Sequence, residues 1–195
     1  MLAAALSGGY AQFVTDRTIS FSGFNTAVAE SKNDIAFISS QLQAAYLKTY
    51  GNWYVKPSVA LGLTYLDREG LTETGGGSAI LNVDGSHDTT FFISPKVEFG
   101  TNYSIDSDTT MRPFIKLGMT YFASNKHRMT SSFVSAPAGT GSFTTTSEFD
   151  DVFADIEAGT SIFKTDGTTL SLGYKGKFSD NTKQHGIYAK GRVKF

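Results

Sequence analysis

Hydrophobic and polar residues alternate with a period of two through most of this chain, which predicts β-strands with one apolar face. At the carboxy terminus Ile187, Ala189, Gly191, Val193 and Phe195 share one face, while Tyr188, Lys190, Arg192 and Lys194 share the other. Leu170, Leu172, Tyr174 and Phe178 oppose Ser171, Gly173, Lys175 and Lys177. Val152, Ala154, Ile156, Ala158 and Ile162 oppose Asp155, Glu157, Gly159 and Ser161. Pro113, Ile115, Leu117, Met119 and Tyr121 oppose Arg112, Phe114, Lys116, Gly118 and Thr120. Ile93, Pro95, Val97, Phe99 and Tyr103 oppose Ser94, Lys96, Glu98 and Gly100. The same device recurs from Trp53 to Tyr65 and from Ile38 to Tyr46, and more weakly from Ala3 to Phe13. About eight strands are predicted.

The alternating segments run to roughly 9–13 residues, whereas strands of soluble proteins cluster near 5–6. About ten tilted residues cross a bilayer. Long connections (Asp16–Asn33, Asp67–Asp88, Ala123–Asp150) alternate with short ones (Lys48–Asn52, Ile105–Thr110, Lys164–Thr168), and a modest one, Ser179–His185, comes last. Outer-membrane barrels have this segregation, with short periplasmic turns and long extracellular loops. The fold expected is all-β, an antiparallel up-and-down transmembrane β-barrel. Tyr46, Tyr50, Trp53, Phe99, Tyr103 and Phe195 fall near short-turn ends, and Tyr65, Tyr121 and Phe178 near long-loop ends, as two interfacial aromatic girdles require.

Composition narrows the function. Eighteen acidic residues nearly cancel 17 basic ones, which argues against a nucleic-acid partner. Twenty glycines, four prolines and 13% aromatics suit an all-β chain, and the absence of cysteine removes disulfides and thiol chemistry. No apolar run of about 18 residues predicts a transmembrane helix. Met1–Leu6 is apolar but lacks a basic flank, a poor secretory signal, so the chain is expected to be the carboxy-terminal piece of a longer precursor.

Several segments resemble one family: Ser40-Gln41-Leu42-Gln43-Ala44-Ala45-Tyr46, Val55 to Leu63, Leu71-Thr72-Glu73-Thr74-Gly75-Gly76-Gly77, Met111 to Gly118, and the closing aromatic strand. In order and spacing they are similar to the translocator (β) domain of bacterial type V autotransporters. The resemblance implies a twelve-stranded barrel threaded by a helix that leads to a secreted passenger. Only eight strands are visible, so the first four, the helix and the linker are expected to lie outside this sequence. Residues 1–195 are accordingly expected to form the carboxy-terminal portion of one translocator domain in the Gram-negative outer membrane. The partners implied are outer-membrane lipid and lipopolysaccharide, the barrel-assembly machinery and the precursor's own passenger. Tyr188, Val193 and Phe195 form the expected assembly signal. The alternative is a complete small eight-stranded barrel with a structural or adhesive surface role.

Candidate chemistry is sparse. If Lys164–Thr168 closes a hairpin, Glu157 stands opposite Lys175 and Asp155 opposite Lys177, with Lys190 and Arg192 within possible reach on the last strand. With Lys96, Glu98, Arg112 and Lys116 these residues are expected to line the lumen as an ion network. Ser86-His87-Asp88 is no triad, since sequence neighbours cannot point at one another in the required way. His87, His127 and His185 show no zinc spacing and are expected to be solvated. Asp84, Asp88, Asp106 and Asp108 lack a calcium-loop pattern. No enzyme activity, cofactor or metal is expected, and Ala123–Asp150 is expected to be an exposed Thr/Ser-rich loop.

Overall fold

A computed structural model describes residues 1–23, 25–137 and 139–193. Eight long strands follow one another: β1 (Leu2–Ile19), β2 (Ala27–Ala45), β3 (Trp53–Arg68), β4 (Ser86–Thr101), β5 (Thr109–Phe122), β6 (Val152–Lys164), β7 (Thr169–Phe178) and β8 (Lys183–Arg192). Each pairs antiparallel with its sequence neighbour. The result is an up-and-down sheet curled into a half-barrel. Among the described residues no pairing joins β1 to β8.

Registers put every second side chain on a common face across all eight strands. One face carries Val59, Leu61, Leu63, Ile93, Val97, Ile115, Leu117, Met119, Ile156, Leu170, Leu172 and Ile187. It is exposed: Leu117 is 43%, Met119 52% and Leu172 47% accessible. The other face carries Ser94, Thr120 and Asp155, which are only 4%, 3% and 9% accessible. Among the described residues no second layer covers either face of the eight strands, so this shielding comes from curvature. Side chains converge on the concave side and diverge on the convex side. The molecule is therefore inverted relative to a soluble sandwich, which hides its large hydrophobic residues. No charged residue stands on the convex face of β3 from Trp53 to Tyr65, of β5 from Met111 to Tyr121, or of β7 from Leu170 to Phe178. A Lys or Arg at a bilayer midplane there would cost about 2–4 kcal/mol.

The strands are longer than the alternation predicts. The segment Asp16–Asn33, read as a long connection, is mostly strand, and only residues 20–26 link β1 to β2. Around Thr15, Asp16, Glu30, Ser31 and Lys32 both faces are polar, so period two disappears. The backbone ladder, which does not depend on side-chain polarity, continues through Asp16 opposite Glu30 and Arg17 opposite Ala29. The connection between β5 and β6 also differs from expectation. Lys126–Phe133 and Phe143–Glu148 form a hairpin that joins Leu81–Val83 and Leu71–Thr72 in a second, four-stranded sheet at the long-loop end. Its Thr-rich strand is β-branched, which favours extended backbone even without an apolar face.

At the opposite end the turns are tight for identifiable reasons. Lys48–Tyr50 folds back on Trp53–Val55 through Gly51 at φ 59°, a left-handed conformation that favours glycine. The Asp106 and Asp166 carboxylates accept the backbone N–H two residues on, at 2.8 and 2.7 Å. Asp106 is thereby committed to a turn.

Candidate functional site: the concave charged face

Strands β3 to β7 set Lys56, Glu98, Lys116, Glu157 and Lys175 in one cross-strand row, which ends on Gly186 of β8. Asp155 on β6 lies opposite Lys177 on β7, and Glu157 lies opposite Lys175. On the other side Glu157 faces Lys116 of β5, which in turn faces Glu98 of β4. The ammonium of Lys116 sits between two carboxylates, 3.0 Å from Glu98 and 3.2 Å from Glu157. Glu157 also accepts a 2.8 Å hydrogen bond from the Tyr188 hydroxyl of β8 and lies 3.7 Å from Lys175. Glu98 accepts a 2.9 Å bond from the Tyr54 hydroxyl of β3. The result is a Tyr54–Glu98–Lys116–Glu157–Tyr188 brace that crosses from β3 to β8.

A second set lies nearer the long loops. Asp155 accepts from Thr120 at 2.5 Å and pairs with Lys96 at 3.3 Å and Lys177 at 3.9 Å. Thr120 also shares a 2.8 Å hydrogen bond with buried Ser94. Above it Phe122 packs against Phe92, Phe149 and Phe153 with ring centroids 5.3–5.8 Å apart, and Lys177 lies over the Phe122 and Phe153 rings at 5.3 and 5.0 Å. A cavity of about 420 Å³ runs along the face and is lined by residues from β2 (Gln41, Gln43) to β7 (Lys175, Lys177).

Glycines make room for the tyrosines. A Cβ on Gly100, directly opposite Tyr54, would approach its ring to 2.5 Å, and one on Gly173, opposite Tyr188, would approach to 2.6 Å. Each ring lies across its facing glycine, which aims its hydroxyl at the carboxylate beyond.

Of the charges expected in one network, Lys96, Glu98, Lys116, Asp155, Glu157, Lys175 and Lys177 come together. Lys190 and Arg192 do not join them. Their register, opposite Ser171 and Thr169, sets them closer to the short turns than Glu157, and Lys190 lies over the Tyr188 ring at 5.2 Å instead. Arg112 is also held apart, by Asn102 at 2.7 Å and between the Tyr54 and Phe163 rings. Tyr188, grouped with Val193 and Phe195 as an assembly signal, faces the concave side, whereas Val193 is exposed and Phe195 lies outside the described residues. Tyr46, Trp53, Phe99 and Tyr103 are exposed near the short turns, and Tyr65 and Tyr121 near the long loops, while Phe178 is half-buried against His185.

The histidines are engaged with neighbours rather than simply solvated. His127 Nδ1 is 2.9 Å from Asp88 Oδ2, His185 Nδ1 is 2.7 Å from the Tyr174 hydroxyl, and His87 stacks on Tyr65. Among the described residues no three His, Asp or Glu side chains are grouped as a metal site. Sequence reasoning missed Tyr54 and the inward phenylalanines. Tyr54 shares parity with Lys56 and Ser58, which is the signal that places it inward.

Outside the strand-spanning region a buried clasp holds the segment after β3. Glu73, 7% accessible, receives Arg17 Nε at 2.9 Å and Nη2 at 2.5 Å and the Leu81 N–H at 2.8 Å. Arg17 also donates to the Ala79 carbonyl at 2.9 Å. The Arg17 hydrogen bonds hold the Glu73 carboxyl below its ordinary value.

The geometry is that of a sheet with a lipid-compatible exterior and a charged, braced interior. A family model, the autotransporter β-domain, matches residues 1–175. The chain belongs to that family. Among curated proteins none matches it. As an autotransporter β-domain it carries the family's outer-membrane translocator character, and the inverted polarity of its two faces is the physical form that this character takes here.

Proposed function

We propose that residues 1–195 act within a translocator unit of the bacterial outer membrane, anchoring a passenger and helping it reach the cell surface, with no catalysis in this chain. The observation that carries this reading is the segregation of the faces: exposed aliphatic residues outside, ionised and hydroxyl groups inside. The convex face meets lipid, with lipopolysaccharide against the outer-leaflet end, and the concave face lines the passenger's route. The charged brace lines that lumen, and the exposed aromatics at the two ends lie at the membrane interfaces. The final strand, with Tyr188, Val193 and Phe195, is the element read by the barrel-assembly machinery.

The test is surface display. With a signal sequence and an epitope fused ahead of Met1, intact cells should present the epitope to added protease. A chain folded in the outer membrane whose epitope stays protected would refute export while leaving the anchoring role standing.

A further inference from the structure

The concave face holds more positive charge than its own carboxylates neutralise. Between the short turns and the phenylalanine layer, Glu98, Asp155 and Glu157 are its only acidic residues among those described, and all three are already engaged. Lys96, Lys116, Lys175 and Lys177 satisfy them. Lys56, Arg112, Lys190 and Arg192 remain, and none of these four has a carboxylate within ion-pair distance among the described residues. This surplus arises in a chain whose formal net charge is -1, so basic side chains have been concentrated on one face. Lys190 and Arg192 are exposed and lie toward the short turns. Beside Lys56, the short-turn ends of the concave walls of β1 and β2 carry uncharged residues, Ala3, Ala5, Ser7 and Gln43, with Ser58 next on β3.

We propose that the short-turn half of the concave face recruits carboxylate-bearing stretches of polypeptide, with Lys56, Arg112, Lys190 and Arg192 as the recognising groups. A one-signed cleft with low-dielectric walls raises the local concentration of counter-charged groups. The surface faces away from the lipid-compatible side and runs along the strands, which suits a chain rather than a lipid headgroup. The inference rests on the export reading above only for its physiological occupant, and the charge preference is measured without export.

The chain has no cysteine, so one introduced thiol reports one position. The full chain, folded in detergent, would carry Ser171→Cys opposite Lys190, or Ser142→Cys in the outer loop as the reference. Rates of modification by an anionic and a cationic methanethiosulfonate are compared. Each kT of local positive potential raises the anionic-to-cationic rate ratio about sevenfold, and clefts of this kind reach several kT. The ratio at position 171 should exceed the ratio at 142 at least severalfold. It should fall in Lys190→Glu/Arg192→Glu, or in the Gln pair should the Glu pair not fold. A glutamate-rich peptide should slow modification at 171, and a lysine-rich one should not. Equal ratios at the two positions overturn the proposal. So does failure of the glutamate peptide to protect, or protection by a DNA oligonucleotide in its place.

Discussion

Lys116 is the position at which the account is most exposed to refutation. Its ammonium separates Glu98 from Glu157, and the three side chains are 25%, 12% and 18% accessible. Replacing it with Met keeps the aliphatic length but leaves two carboxylates on flanking strands without their shared cation. Removing one partner of a buried ion pair costs about 3–5 kcal/mol. Water reaches a quarter of Lys116, so the expected loss lies at the low end of that range. Lys56→Met is the internal control, because Lys56 also faces inward, opposite Glu98, but lies beyond ion-pair distance of it, whereas Lys116 is 3.0 Å away. The assay is urea unfolding in lipid vesicles, followed through Trp53, the single tryptophan. Lys116→Met should shift the midpoint well below that of Lys56→Met, and adding Glu98→Gln and Glu157→Gln should recover part of the loss by removing the stranded charges. Equal midpoints for the two single variants would show that the brace contributes nothing.

Gly100→Val should push the Tyr54 ring off its seat, separate its hydroxyl from Glu98 and destabilise the fold by about 1–3 kcal/mol as an overpacked site. The same midpoint measurement checks it, with Tyr54→Phe isolating the hydrogen bond. The Arg17–Glu73 clasp has a defined acid sensitivity. Because the folded-state pKa of Glu73 is lowered, its stabilisation is complete above the ordinary value of 4.5 and is lost as pH falls through the depressed one. An acid-active protease should cut between Glu69 and Gly85 increasingly as pH drops below 4.5, and Glu73→Gln should be cut equally at every pH.

Strands β3 to β8 were legible because lipid-compatible side chains recur on one face without interruption. Counting back from the Lys164–Thr168 turn was enough to set Glu157 opposite Lys175, since a tight hairpin fixes its own register. The part played by Lys116 was not legible in the same way. Its register to Glu157 is set across the 29-residue connection from Ala123 to Asp151, which no turn rule constrains. The upper halves of β1 and β2 were hidden where both faces turn polar. The Lys126–Glu148 hairpin was hidden because a Thr- and Ser-rich segment without an apolar face has the composition of a loop, although Thr144, Thr145 and Thr146 are β-branched. The two tyrosines of the brace were hidden because a tyrosine of inward parity looks like any other strand aromatic until its facing glycine is known.

The most direct test of the central claim, a convex face in lipid, moves the only tryptophan. In a Trp53→Phe background, Leu117→Trp puts the indole at the middle of β5 on the exposed apolar face. The chain is then folded into vesicles of brominated lipid. The account predicts blue-shifted emission strongly quenched by bromine near the bilayer centre. Unquenched emission at a water-like wavelength from the folded chain, or the same fold reached without lipid or detergent, would contradict it.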